Sequence, residues 1–156
     1  MTVRHAGTTD LTSLASMLVE LFGIERDFTP DPGAHIRGLS LVLRDPSYRL
    51  LVAPDDDDRP IGMLSLHVLI STALGGKVGL VEDVFVQPLW RRRGVGRALC
   101  GAAERIACEE NLLRLSLLAD SDNTSALAFY ERLGWSRTSL VALQLVSSSE
   151  SSSVPS

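Results

Sequence analysis

Apolar residues recur along this chain at two spacings, and the switches between them give an order of elements. Residues 2–5 read as a short opening strand. Leu11, Leu14, Ala15, Leu18 and Leu21 then keep the three-and-four spacing of a helix face, with Thr9 or Asp10 as its cap. Gly23 loosens the end of that helix, and residues 24–31 form a polar and aromatic connector. Pro32 suits the first turn of a second helix, which runs to Leu43 or Arg44 before Asp45-Pro46 breaks it. Residues 48–53, 61–70 and 77–86 read as three strands. The acidic turn 54–60 and the pair Gly75-Gly76 separate them. Val95, Ala98, Leu99, Ala102 and Ile106 return to helical spacing over 94–109. Residues 113–118 make a short buried strand. Asp122 or Asn123 caps a last helix that stops at Gly134. Residues 135–139 and 140–146 supply two final strands. The order predicts a mixed α/β (α+β) domain over 1–146, with about seven strands in one central sheet and about four helices. Residues 147–156 are mostly serine and read as a disordered tail.

Composition narrows this without redirecting it. The chain has 156 residues, suited to one core, and 45% hydrophobic residues are ample to fill it. No apolar run is long enough to span a membrane, and the first ten residues lack the basic start and apolar block of a signal peptide. A cytoplasmic protein with no membrane partner is the expectation. The formal charge of −4 argues against a nucleic-acid partner. Positive charge is nonetheless gathered at Arg91, Arg92, Arg93 and Arg97. Cys100 and Cys108 are too far apart along a helix for a disulfide and lack partners for a metal site. His5, His35 and His67 form no ligand motif. Four consecutive aspartates in the 54–60 turn lack the alternating ligands and central glycine of a calcium loop, so no metal is expected.

The segment 84–99 carries the chemistry. A valine-rich strand enters a loop with Gly94 and Gly96, and a helix begins at once. Such a junction offers backbone N–H groups at the positive end of a helix, which suits a phosphate. Glycine admits close approach of the ligand, and the arginines add charge. A dinucleotide fingerprint needs glycine where Leu99 stands. A P-loop needs four residues between its glycines and then a lysine. Neither is present, and a solvated strand-to-helix turn remains an alternative.

Arg91-x-x-Gly94-x-Gly96 resembles the R/Q-x-x-G-x-G/A signature of the GCN5-related N-acetyltransferase (GNAT) superfamily. A second segment, from Asn123 through Ala126, Phe129 and Tyr130 to Gly134 and Trp135, is similar to the family's N-x-x-A-x-x-F-Y-x-x-x-G-F, with tryptophan in place of the final phenylalanine. The resemblance covers the chain from the opening strand to Val146. It implies acetyl-CoA as co-substrate and a mostly antiparallel sheet splayed open to hold it. Carried over residue by residue, it places the pyrophosphate on the amides of Arg91, Arg92, Arg93, Gly94, Val95, Gly96 and Arg97. It pairs the pantetheine arm with the backbone of Val84 and Val86. Asn123 helps position the cofactor, and Tyr130 protonates the departing thiolate; a core aromatic is the other reading of Tyr130.

An ammonium cannot attack a thioester, so a base or ordered water must take a proton. Strand alternation puts Glu82 on the face of Leu80 and Val84, and Asp83 on the opposite face with Phe85. Residues 80–86 resemble the equivalent strand of diamine and polyamine acetyltransferases, whose first acidic residue sits at the acceptor amine. That assigns Glu82 as base through water, against a carboxylate that only anchors the strand. The connector between the first two helices commonly shapes the acceptor pocket in the superfamily. There Glu25 and Asp27 attract a cationic amine and Phe22 and Phe28 wall it, or the four form a solvated turn and two core aromatics. No cysteine lies in these motifs, so no acetyl-enzyme is expected. The expected activity is acetyl transfer from acetyl-CoA to a primary amine by direct attack in a ternary complex, in a homodimer paired through the last strands. A CoA-binding sensor without turnover is the alternative.

Overall fold

The computed structural model describes residues 1–25 and 29–147. Residues 1–123 form one unit around a five-stranded sheet in sequence order. The strands are β1 (Arg4–His5), β2 (Tyr48–Pro54), β3 (Pro60–Ser71), β4 (Gly76–Val86) and β5 (Leu115–Leu117). The first three pairings are antiparallel and β4–β5 is parallel. Helices α1 (Leu11–Ile24) and α2 (Pro32–Arg44) follow β1, and α3 (Val95–Glu109) crosses from β4 to β5.

Residues 60–66 of β3 are all buried, because both faces of this central strand are covered. On one face Met63 joins Leu50, Val52 and Phe85 against Leu14, Met17 and Leu18 of α1 and Leu39 of α2. On the other, α3 lies so close to the sheet that a side chain at position 62 would crowd its neighbours. A Cβ on Gly62 would stand 3.0 Å from Val95 Cγ1 and 3.1 Å from both Leu99 Cδ1 and the Phe85 carbonyl. Gly62 is opposite Val86, so this contact sets the start of α3 over the end of β4.

Asp10 does not act as the side-chain cap that its position predicts. A 3-10 turn, Thr8–Asp10, precedes α1, and the buried Asp10 carboxylate accepts from Gly7 N at 2.8 Å and from Arg4 at 2.9 and 3.1 Å. The Arg4 guanidinium holds the Asp10 carboxyl below the usual range. Arg4 also binds Asp58 of the acidic turn at 2.8 Å, so that turn is a hairpin tip tied to β1.

Residues 124–156 form a second unit, described to residue 147. Helix α4 (Thr124–Arg132) ends where Gly134 takes φ 93° and Trp135 N donates to Tyr130 O at 3.1 Å. The expected strands 135–139 and 140–146 are absent among the described residues, which reduces about seven strands to five. Leu140, Val141, Leu143, Leu145 and Val146 are exposed. A short apolar run becomes a strand only when a neighbouring backbone completes its ladder, and no described residue pairs with this one. The serine tail from residue 148 lies outside the described residues.

Candidate active site

The last residues of β4 connect the parts of the candidate site. Its pairing with β5 stops at Val81 opposite Leu117, whereas its pairing with β3 continues to Val86 opposite Gly62. The stretch 82–86 therefore has one edge outside the sheet's ladder among the described residues. Val84 and Val86 lie on that stretch. The Val86 carbonyl is already engaged by Arg91 Nε at 2.9 Å, so any ligand pairing there must share it.

Beyond β4, a 3-10 turn (Pro88–Trp90) leads through Arg91, Arg92 and Arg93 to α3. Arg92 has φ 60° and Gly94 φ 83°. Gly94 is the N-cap of α3, and being glycine it supplies no capping oxygen. The first intrahelical bond is Ala98 N to Gly94 O at 2.9 Å, so the amides of Val95, Gly96 and Arg97 precede the helix's own acceptors. The space in front of the turn is open: a Cβ on Gly94 would meet no heavy atom within 4 Å. Packing places two of the arginines, with Arg91 5.4 Å over the Phe85 ring and Arg93 5.4 Å over Trp90. A helix start without a capping side chain, positive charge and open space are together the features that suit an anion.

At the other end of the open stretch lies a cavity of about 240 Å³ between α1, α2 and the sheet. Leu18, Phe22, Leu39 and Val42 form apolar walls, and Ser65, Glu82 and Asp83 bring polar groups. Tyr48 and His35 complete it. The Tyr48 ring stacks on His67 at 4.0 Å, and His35 lies 5.1 Å from Phe22. Burial beside Glu82, Asp45 and Asp83 pushes the Tyr48 phenol upward.

The expected alternation of Glu82 and Asp83 fails at this point. Met63 is opposite Phe85 and Ser65 opposite Glu82, so one residue of β3 faces two of β4. That is a β-bulge, and Asp83 occupies it at φ 52°. The extra residue breaks the pleat and turns both carboxylates to one cavity. Asp83 is half-buried and Glu82 is exposed. Burial, and then the negative charges of Glu82 and Glu25, push the Asp83 carboxyl up to about 6, against a hydrogen bond with Ser65 that lowers it. The buried Ser65 Oγ also donates to the Glu82 carbonyl at 3.2 Å.

The expected site residues thus fall into distinct places. Arg91–Arg97 form the turn into α3 and its first residues, and Val84 and Val86 lie on the open edge of β4. Phe22 and Glu82 line the cavity, and the Glu25 charge reaches Asp83. Asp27 and Phe28 lie outside the described residues. Asn123 ends the first unit, its amide bonded to Asp120 O at 3.0 Å. Tyr130 belongs to the second unit, in edge contact with Phe129 at 5.2 Å and Trp135 at 6.0 Å. Sequence reasoning missed Asp83, Ser65, Tyr48 and His35 as cavity residues. Only two adjacent carboxylates in one strand hinted at the bulge. Burial pushes the Cys100 thiol up to about 11, which leaves it a packing group. No cluster of potential metal ligands and no helix long and apolar enough to cross a membrane occur among the described residues.

Comparison with known proteins agrees with this geometry. The chain is 28% identical over 138 residues to an aminoalkylphosphonate N-acetyltransferase of Salmonella typhimurium, covering 87% of this chain and 85% of that protein. It is 34% identical over 107 residues to an aminoglycoside N(6')-acetyltransferase type 1 of Klebsiella aerogenes, covering 67% and 69%. A mycothiol acetyltransferase of Kocuria rhizophila is 35% identical over 90 residues, 58% of this chain; the match spans only 30% of that longer protein. Among solved structures, a possible acetyltransferase from Clostridium difficile 630 superposes with a TM-score of 0.83 at 20% identity, over 94% and 97% of the two chains, and so shares the fold. The family model described as "Acetyltransferase (GNAT) family" matches residues 13–135, which contain the cavity, the open edge of β4 and the glycine-capped start of α3. With that match over most of its length, the chain belongs to the GNAT acetyltransferase family.

Proposed function

We propose that this protein transfers the acetyl group of acetyl-CoA to a primary amine of a small molecule or peptide, by direct attack in a ternary complex. The observation that carries the reading is the continuity of β4. One open strand edge runs from a two-carboxylate cavity to an uncapped helix start. About 17 Å of extended chain separates Asp83 from Pro88. That suits a thioester delivered to the cavity while its phosphates rest on α3.

In this reading the cradle 91–97 holds the pyrophosphate, Val84 and Val86 align the pantetheine arm, and Asn123 helps place it. Glu82, exposed at the cavity rim, takes the ammonium proton through water. The free nitrogen attacks the acetyl carbonyl carbon, whose developing oxyanion is met by β4 backbone N–H groups. The C–S bond then breaks, Tyr130 gives its proton to the departing thiolate, and the proton that the nitrogen sheds on becoming an amide leaves through water and restores the phenol. Phe22, Glu25, Asp27 and Phe28 shape the acceptor entrance. The protein works in the cytoplasm, without metal or nucleic acid, and as a homodimer whose exposed 140–146 segments pair across two copies.

The deciding experiment is release of free CoA thiol from acetyl-CoA across polyamines, amino acids, aminoglycosides and peptide N-termini. Turnover with one class is expected. Tight acetyl-CoA binding with no turnover for any acceptor would instead favour a CoA sensor. Light scattering at micromolar protein tests the dimer; a clean monomer removes it.

A further inference from the structure

Asp83 is placed as few strand residues are. It holds φ 52°, a conformation unfavourable for residues other than glycine, asparagine and aspartate, in a bulge opposite a continuous β3. The effect is to point a half-buried carboxyl into a cavity with apolar walls, where it is less solvated than Glu82 beside it. Among the described residues, the groups that face it include the carboxylates of Glu25 and Glu82. Glu25 follows α1, His35 comes from α2, Tyr48 from β2, Ser65 from β3 and Glu82 from β4. No lysine or arginine lines the cavity among the described residues.

We infer that Asp83 is the specificity-determining residue for the acceptor: it docks the ammonium of a cationic amine whose reactive nitrogen is borne on a plain CH2, and the cavity excludes acceptors with a carboxylate or phosphonate beside that nitrogen. This deepens the acetyltransferase reading and rests on it. An ammonium at Asp83 replaces lost solvation with a charge-assisted hydrogen bond, and the apolar walls cover its carbon chain. A carboxylate or phosphonate in the same place would meet the Glu82 and Asp83 carboxylates with no lysine or arginine among the described lining residues to pair it, a cost that discriminates against it. The labour is divided: Asp83 holds the nitrogen at the buried end, and Glu82 passes its proton to solvent. Docking weakens as pH falls through about 6, where Asp83 takes up a proton. The Salmonella relative named for aminoalkylphosphonates marks the contrast.

The test uses 1,4-diaminobutane, 2-phenylethylamine, alanine and aminomethylphosphonate as acceptors, with wild type, Asp83→Asn and Asp83→Gly. Both replacements tolerate positive φ, so the bulge is retained, and circular dichroism checks the fold. For wild type, kcat/KM for the two plain amines should exceed that for alanine and aminomethylphosphonate by about a hundredfold or more. Asp83→Asn should raise the diamine KM about tenfold or more, with the acetyl-CoA KM within about twofold, and remove the acidic limb near pH 6. Calorimetric titration of 1,4-diaminobutane into protein saturated with CoA reads docking without turnover. Docking that Asp83→Asn abolishes, in a protein that acetylates nothing, supports the inference and defeats the acetyltransferase reading. Equal use of aminomethylphosphonate, an unchanged diamine KM in Asp83→Asn, or no diamine binding to folded wild type overturns the inference.

Discussion

The two regions that flank the open stretch 82–86 of β4 are built by opposite means. The start of α3 is made of consecutive backbone: Gly94 caps the helix without a side chain, and the amides of the next three residues precede the helix's own acceptors. The acceptor cavity is made of side chains from α1, α2, β2, β3 and β4, with a bulge turning Asp83 into it. A phosphate cradle can be local because every acyl-CoA carries the same phosphates. An acceptor pocket must be assembled from distant parts, so it can vary while the cradle stays. The prediction is that damage to the cradle is absolute and acceptor-blind, whereas damage to the cavity is graded and acceptor-dependent.

The largest effect is expected at the cradle. Gly94→Glu places a side chain and a negative charge in the open space before α3 and strains a φ of 83°. Acetyl-CoA binding by calorimetry should fall below detection for a protein whose circular dichroism is unchanged. Retained affinity would mean that the phosphates bind elsewhere.

Next come the two residues assigned to proton transfer. Tyr130→Phe keeps the ring packing against Phe129 and Trp135 and removes the hydroxyl. Turnover should drop about ten- to a thousandfold, with acetyl-CoA affinity close to wild type. Glu82→Gln should reduce turnover mostly near neutral pH and recover in part at high pH, where free amine is abundant. A Glu82→Gln defect equal at every pH would make Glu82 an anchoring carboxylate.

The smallest effect concerns stability, and its sign distinguishes the cavity from ordinary surface. Asp83 has a folded-state pKa raised to about 6 from 3.8. Between about pH 4 and 6 the native state keeps a proton that the unfolded chain has released, so this group's contribution falls as pH rises. Above pH 6 its charge carries the full penalty. Asp83→Asn should therefore exceed wild type in urea denaturation at pH 8 by about 1–3 kcal/mol, and match it below pH 4. A less stable Asp83→Asn at pH 8 would mean that the carboxylate supports the fold rather than the site.

The helices and central strands were legible in the residues because their causes are local. Apolar spacing, Pro32 at a helix start and Gly94 at a cap each act within a few residues, and α2 begins and ends where that spacing places it. The cradle shared that legibility, as a backbone motif seven residues long. Strand alternation extended the same local logic to Glu82 and Asp83 and misplaced them, because a bulge depends on how β3 and β4 align over their whole length. The 135–146 segment misled for a related reason: its apolar residues 140–146 suit a strand, yet a strand exists only where a partner's backbone is supplied. So the chain's own pattern determined the order of helices and central strands and the glycine at the start of α3. Tertiary structure alone decided which edge of β4 stayed open, and that five separate elements would close around Asp83, because desolvation and register are properties of what packs against a residue.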